Sequence, residues 1–169
     1  TYKPVCMGER TLCGFEKKSF IITEPLTSTC LLDFVKDKWT SLDRPTQKRI
    51  ITAMAKLTRK AHDANISLQD LYIWHLFIDE ATLENDPHLA VIDLHRMLRN
   101  VKSPDKKLAD LGKLYWSLWE EYFDPGHKDL LISAYAPGAE SEISEKVRKR
   151  AALTAKRRIL PNHYKRPKL

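Results

Sequence analysis

The chain has 169 residues, 43% of them hydrophobic and 30% charged, with a net charge of +7. That balance is ordinary for one globular domain with a genuine core, and it excludes wholesale disorder, a collagen-like repeat and two domains of typical size. No stretch approaches the roughly 20 apolar residues of a membrane-spanning helix, and three cysteines spaced by 7 and 17 suit neither a disulfide frame nor structural zinc.

The opening residues read as extended. Pro4 to Met7 and Ser19 to Thr23 are short apolar runs separated by a polar, glycine-containing stretch from Gly8 to Lys18. This predicts a hairpin or two neighbouring strands. Glu24-Pro25-Leu26 interrupts them, because Pro25 donates no backbone hydrogen bond. Ser28 or Thr29 is expected to cap a short helix that buries Leu31, Leu32, Phe34 and Val35, with Trp39 ending its apolar face. After Asp43-Arg44-Pro45, apolar residues at Ile50, Ile51, Met54, Leu57 and Ala61 predict a long helix, and Asn65 suits the left-handed position after it.

The pattern then changes. Ile66 to His75 reads as a loop, and Leu76 to Ile78 and Leu89 to Ile92 read as strands around the turn Glu84-Asn85-Asp86-Pro87. A second long helix is expected from about Asp105 to Phe123, with Leu108, Leu111, Leu114, Leu118 and Trp119 facing the core. Trp74, Trp116 and Trp119 are read as core, and His62 as a packing or solvent-facing residue. Asp124-Pro125-Gly126 ends that helix, a short one follows from His127 to Tyr135, and Pro137-Gly138 breaks again. The last helix, Glu140 to Leu160, starts acidic and ends basic, as the helix dipole favours. The fold class is α+β, mainly α.

The charge is unevenly placed. Ten of the 29 basic residues lie between Lys146 and Leu169, where there is no Asp or Glu; the rest of the chain has 19 basic and 22 acidic residues. A basic tail on a mildly acidic body suits phosphate-rich partners, either anionic lipid or nucleic acid. A solvated terminal helix is the plainer alternative.

Two carboxylates stand out by position. Asp70 lies in the loop after the long helix, and Asp93 follows the second strand. His75 opens the first strand. A hairpin would bring Asp70, His75 and Asp93 into one cleft, where oxygen ligands suit Mg²⁺ and a histidine admits Mn²⁺ or Zn²⁺. Each residue alone also reads as a turn, a cap or a buried histidine. The order helix, Asp-x-x-x-x-His, two strands, Asp is far more specific than any one of them.

That order resembles the large, C-terminal lobe of protein-kinase-like enzymes. More closely it resembles the lipopolysaccharide core kinases, the Kdo and heptose kinase (WaaP) group. The similarity rests on Ala61-His62-Asp63-Ala64-Asn65-Ile66, Gln69-Asp70-Leu71-Tyr72-Ile73-Trp74-His75, Ile92-Asp93-Leu94-His95-Arg96 and Leu108-Ala109-Asp110-Leu111-Gly112-Lys113-Leu114-Tyr115-Trp116-Ser117. Upstream, Gly8-Glu9-Arg10 and Phe20-Ile21-Ile22-Thr23-Glu24-Pro25-Leu26 resemble the last small-lobe strands and the hinge. The resemblance implies residues 1–26 as the end of the small lobe and hinge, 27–139 as the large lobe, and 140–169 as a basic helix and tail.

It also implies roles. Asp70 corresponds to the aspartate that orients, and can deprotonate, the acceptor hydroxyl. His75 and Asp93 match the metal-binding positions, with Mg²⁺ expected and Mn²⁺ as the alternative. Asp110 matches a structural aspartate that anchors the catalytic loop, and backbone near Glu24 and Leu26 would meet the adenine of ATP. Three departures accompany this. Leu68-Gln69 replaces the usual His-Arg, Tyr72 stands where protein-serine kinases carry a lysine, and Asn65 replaces a common glycine. No glycine-rich loop, strand lysine or helix glutamate precedes Thr1, so the chain is expected to be a fragment, inactive alone.

The implied activity is ATP-dependent phosphorylation of a sugar hydroxyl in the lipopolysaccharide inner core. Its expected place is the inner face of the bacterial inner membrane, cytoplasmic and peripheral, with the basic tail toward anionic lipid. A catalytically inactive kinase-like binding module is the alternative. A nucleic-acid-binding helical domain ranks third, and no nucleic-acid partner is expected, since no groove-reading motif accompanies the charge.

Overall fold

The computed structural model describes residues 3–157. Strands β1 (Pro4–Leu12) and β2 (Phe15–Thr23) form an antiparallel hairpin. Its two-residue turn, Cys13-Gly14, has positive φ at both positions (53° and 81°), the mirror-image turn whose twist matches paired strands. The strands therefore run through the polar stretch from Gly8 to Lys18, which the sequence reading had left as a separator. The pairing survives there because both faces of the hairpin are exposed and demand no alternation of polarity. Val5, Met7, Phe15 and Ile21 remain 61 to 79% exposed.

The connecting segment leads into a small antiparallel sheet of β3 (Thr29–Cys30), β4 (Leu76–Ile78) and β5 (Leu89–Val91). Thr29 and Cys30 pair with Ile78 and Phe77, and the Thr29 hydroxyl donates to Glu80 at 2.7 Å. Neither Ser28 nor Thr29 therefore caps helix α1 (Leu31–Lys38); Cys30 holds the cap position without a side-chain hydrogen bond. Leu31, Leu32, Phe34 and Val35 are buried as expected, and Trp39, also buried, begins a 3₁₀ turn after them.

Helix α2 (Arg44–Asp63) starts where Asp43 accepts a hydrogen bond from the Thr46 amide and Pro45 occupies the first turn. Its buried face holds Ile50, Ile51, Met54 and Ala55 with no exposure. Burial of each of the three larger side chains contributes roughly 1.5–3 kcal/mol. The helix ends before Asn65, which has φ 57°.

Helix α3 (Pro104–Ser117) is shorter than the sequence predicts. At Leu118 the backbone leaves the helical region (φ −81°, ψ 88°), and Trp119 and Phe123 still reach the core from the turns that follow. The apolar periodicity continues past Ser117, so the sequence carries no sign of the break. Asp124 then both stops that segment and starts helix α4 (Pro125–Tyr135), through a reciprocal capping box with His127.

Helix α5 (Glu140–Arg157) lies against α3 along a thin buried stripe of Val147 and Ala151. Gly112 sets that approach. A Cβ at position 112 would fall 2.6 Å from Arg150 Cβ and 3.2 Å from the Ala151 amide nitrogen, so only glycine lets the two helices pack this closely. Leu160, the expected end of this helix, and residues 158–169 of the basic tail lie outside the described residues. Among the described residues no helix is long and apolar enough to cross a membrane. All three cysteines are free thiols; Cys6 and Cys13 are exposed, and burial pushes the Cys30 thiol up.

Candidate active site

The loop from Ser67 to His75 is tied down at nearly every residue. Its start pairs with the segment after β5: the Ser67 and Leu98 backbones exchange hydrogen bonds of 2.9 and 3.0 Å. Beneath it lies Asp110 on α3, 2% exposed. One carboxylate oxygen of Asp110 accepts from the Ser67 hydroxyl at 2.7 Å and from the Leu68 amide at 2.8 Å. His62 Nε2 stands 3.4 Å from the same oxygen. Its Nδ1 is 2.8 Å from the Tyr135 hydroxyl, whose pKa burial raises. A buried carboxylate is costly unless donors surround it, and here the donors belong to the loop itself.

His62 is thus a buried partner of the loop anchor, 1% exposed, rather than simply a packing or solvent-facing residue. Farther along, Lys113 on α3 donates to the Gln69 carbonyl. Arg96 donates to Asp70 Oδ1 at 3.2 Å and to the Gln69 side chain at 3.4 Å. The Leu68-Gln69 pair carries no charge, and the cationic support comes instead from two residues distant in sequence. A signal for one of them was present, since Lys113 sits three residues after Asp110 on one face of a helix.

The end of the loop is fixed by aromatic packing. Tyr72 stacks on Trp74 with centroids 4.6 Å apart, and Trp116 meets both edge-on. The Ile73 amide donates to Ser117 Oγ at 3.0 Å. This packing closes the 3₁₀ turn Ile73–His75 and delivers His75 at the mouth of β4. His75 Nδ1 is 2.7 Å from the Asp70 carbonyl oxygen, which can only accept, so Nδ1 carries the hydrogen. Nε2 stands 3.6 Å from Asp93 Oδ2 and presents a lone pair whenever the ring is neutral.

Asp93 is reached through β5. The Ile92 amide bonds to the His75 carbonyl at 2.9 Å, and Asp93 then adopts a left-handed conformation (φ 59°, ψ 56°). Few non-glycine residues take that conformation, and such outliers concentrate at functional sites. The Asp93 carboxylate also contacts His95 Nδ1.

The structure therefore brings Asp70, His75 and Asp93 together, with Asp110 under the loop that carries the first two. Glu24 and Leu26 lie on the segment joining β2 to β3. The Glu24 amide is bonded to the Lys3 carbonyl at 2.9 Å. Among the described residues no group of three or more His, Cys, Asp or Glu side chains is arranged around a cation. A pair made of one imidazole lone pair and one carboxylate does fit Mg²⁺ or Mn²⁺, which commonly take one or two protein ligands and complete their shell with phosphate and water.

Asp70 borders two hollows. One is a narrow crevice lined by Leu68, Val91, Ile92, Asp93 and Met97; the other is a cavity of about 410 Å³ lined by Tyr72, Arg96, Lys113 and residues of α5. Asp70 is the residue common to both linings.

Known proteins resemble this chain in sequence and fold. The chain is 35% identical over 122 residues to the lipopolysaccharide core heptose(I) kinase WaaP of Escherichia coli (strain K12), covering 69% of this chain and 46% of that protein. It is 31% identical over 122 residues to the protein of the same name from Pseudomonas aeruginosa, with the same coverage. The chain thus spans about half the length of the curated relatives it matches. A solved structure described as WaaP in complex with acyl carrier protein matches with a TM-score of 0.73 and 27% identity, over 92% of this chain and 67% of that one. The expected protein-kinase-like architecture, mixed and mainly helical, is the one observed. With residues 1–135 matching its model, the chain belongs to the lipopolysaccharide kinase (Kdo/WaaP) family.

Proposed function

We propose that the protein to which this chain belongs transfers the γ-phosphoryl group of ATP to a sugar hydroxyl of the lipopolysaccharide inner core. The observation that carries this reading is the pairing of His75 Nε2 with Asp93 beside a clamped Asp70. Phosphoryl transfer requires in-line positioning and cancellation of charge, with little covalent work by the protein.

In this mechanism Asp70 accepts the hydrogen of the acceptor hydroxyl and aims its oxygen. Arg96 holds the Asp70 carboxylate in place from one side, and the backbone around it is fixed by Asp110 and Lys113. His75 and Asp93 would hold the divalent cation, which when bound neutralises charge on the nucleotide phosphates. Backbone near Glu24 and Leu26 would receive the adenine. Residues 1–26 would then serve as small-lobe edge and hinge, 27–139 as the large lobe, and 140–169 as a basic extension. That extension supports a peripheral place at the cytoplasmic face of the inner membrane, through attraction to anionic lipid headgroups.

The test is Asp70→Asn in the full-length protein. Transfer of phosphate from ATP to purified inner-core acceptor should fall about 10²- to 10⁴-fold, with an unchanged circular dichroism spectrum. Normal turnover in that variant would sink the proposal. The competing reading, a binding module without catalysis, draws on the uncharged Leu68-Gln69 pair. It requires Mg²⁺-dependent nucleotide binding with no turnover by the wild-type protein.

A further inference from the structure

Resting on that reading, we propose that the cavity beside Asp70 is the acceptor site and that α5 selects an acceptor bearing an oxyanion, a carboxylate or a phosphate, near the reacting hydroxyl. Four cationic side chains line this cavity: Arg96, Lys113, Arg150 and Arg157. Asp70 is the single acidic residue among the lining groups. A cavity of about 410 Å³ accommodates a sugar residue with a charged substituent, and its charge excess calls for an anion.

The four cations divide by task. Arg96 and Lys113 are engaged with Asp70 and with Gln69, so they hold the loop. Arg150 and Arg157 belong to α5, and the acid paired with Arg150 is Asp105 at 3.8 Å, beyond hydrogen-bond distance and itself 77% exposed. That pairing is weak and screened by solvent, so an incoming oxyanion displaces it at little cost. A guanidinium offers two parallel donors to a carboxylate or phosphate, which fixes orientation as well as affinity.

The position of α5 strengthens the argument. The helix begins at Glu140, beyond the 1–135 segment matched by the family model, yet it packs on α3 directly behind the loop anchor. Close packing over Gly112 brings the Arg150 backbone to α3, and Arg150 lines the cavity with its side chain still 41% exposed. Acceptor choice would then reside on a helix separate from the residues that transfer phosphate.

The experiment is an equilibrium titration of the full-length protein with inner-core oligosaccharide freed of acyl chains. Three forms are compared: native, carboxyl-reduced and phosphatase-treated. The native form should bind about tenfold tighter than whichever form lacks the recognised oxyanion, and that form names the group. Arg150→Ala and Arg157→Ala should each erode the preference, while Arg150→Lys retains most of it; both Arg150 variants keep the Cβ that packs against α3. In turnover assays the alanine variants should raise KM for acceptor and leave KM for ATP unchanged. Equal binding of the three forms, or a full preference in both alanine variants, overturns the proposal. A preserved preference without wild-type turnover supports the pocket and counts against the kinase reading. Turnover without any preference does the reverse.

Discussion

The two carboxylates that meet at the site are built in opposite ways. Asp70 stands in a loop whose neighbours are bonded from below by Asp110, from the side by Lys113 and from above by Arg96. Its side chain is 7% exposed. Asp93 is 37% exposed, follows a three-residue strand, and holds a left-handed backbone with a histidine on either side of its carboxylate. The carboxylate proposed to orient the hydroxyl is thus fixed by the core. The one proposed to hold the cation is left to be completed by what binds it. A phosphoryl-transfer site needs both kinds, since the acceptor must be aimed before reaction while the cation arrives and leaves with nucleotide.

The contrast can be broken from either end. Its sharpest test is Asp110→Ala, which leaves the Ser67 hydroxyl and Leu68 amide buried without an acceptor. A cost of about 3 kcal/mol follows, with a fall in Tm of roughly 6–12 °C by differential scanning calorimetry. The equivalent change at the other carboxylate should barely register in stability. Asp93→Gly relieves the left-handed strain while adding unfolded-state entropy, so the melting free energy should move by no more than about 0.5 kcal/mol. Mg²⁺-dependent turnover should nonetheless be lost. A large Tm change there would mean that the metal-side turn is as rigid as the loop.

The smallest effect bears on the frame that both share. Arg44 on α2 bonds Asp124 at the start of α4, and this holds the Asp124 carboxyl down at about 2. Its folded-state value lies below the unfolded one of 3.8, so the stabilisation is complete above that value and is lost as pH falls through about 2. Solvent screening of this half-exposed pair keeps the contribution small. Thermal melts between pH 5 and pH 2 should show a slightly shallower acid loss in Asp124→Asn than in the wild type.

Much of this was legible in the residues. Apolar spacing gave α2 and its buried face, turn chemistry gave the β4–β5 hairpin, and the order of Asp70, His75 and Asp93 pointed to a shared cleft. What the pattern could not carry was support arriving from elsewhere in the chain. His62 looks like any helical histidine until Asp110 is placed beside it. Arg96 and Lys113 replace a missing charged pair only because the fold turns them toward Gln69. The end of α3 was invisible for a related reason: Leu118, Trp119 and Phe123 keep a core-facing pattern after the backbone stops being helical. The hairpin turn at Cys13-Gly14 was hidden within a polar stretch, because exposed strands show no alternation.

Gly112 ties the loop anchor to the cavity through a single hydrogen atom. A side chain there would have to push α5 outward, and α5 carries Arg150 and Arg157 with it. The width of the cavity and the tightness of the α3–α5 seam are therefore one inherited variable, adjustable by a change in one codon. A lineage that traded this glycine for alanine would acquire a roomier mouth and more distant cations at the same stroke, and would do so without altering Asp70, His75 or Asp93.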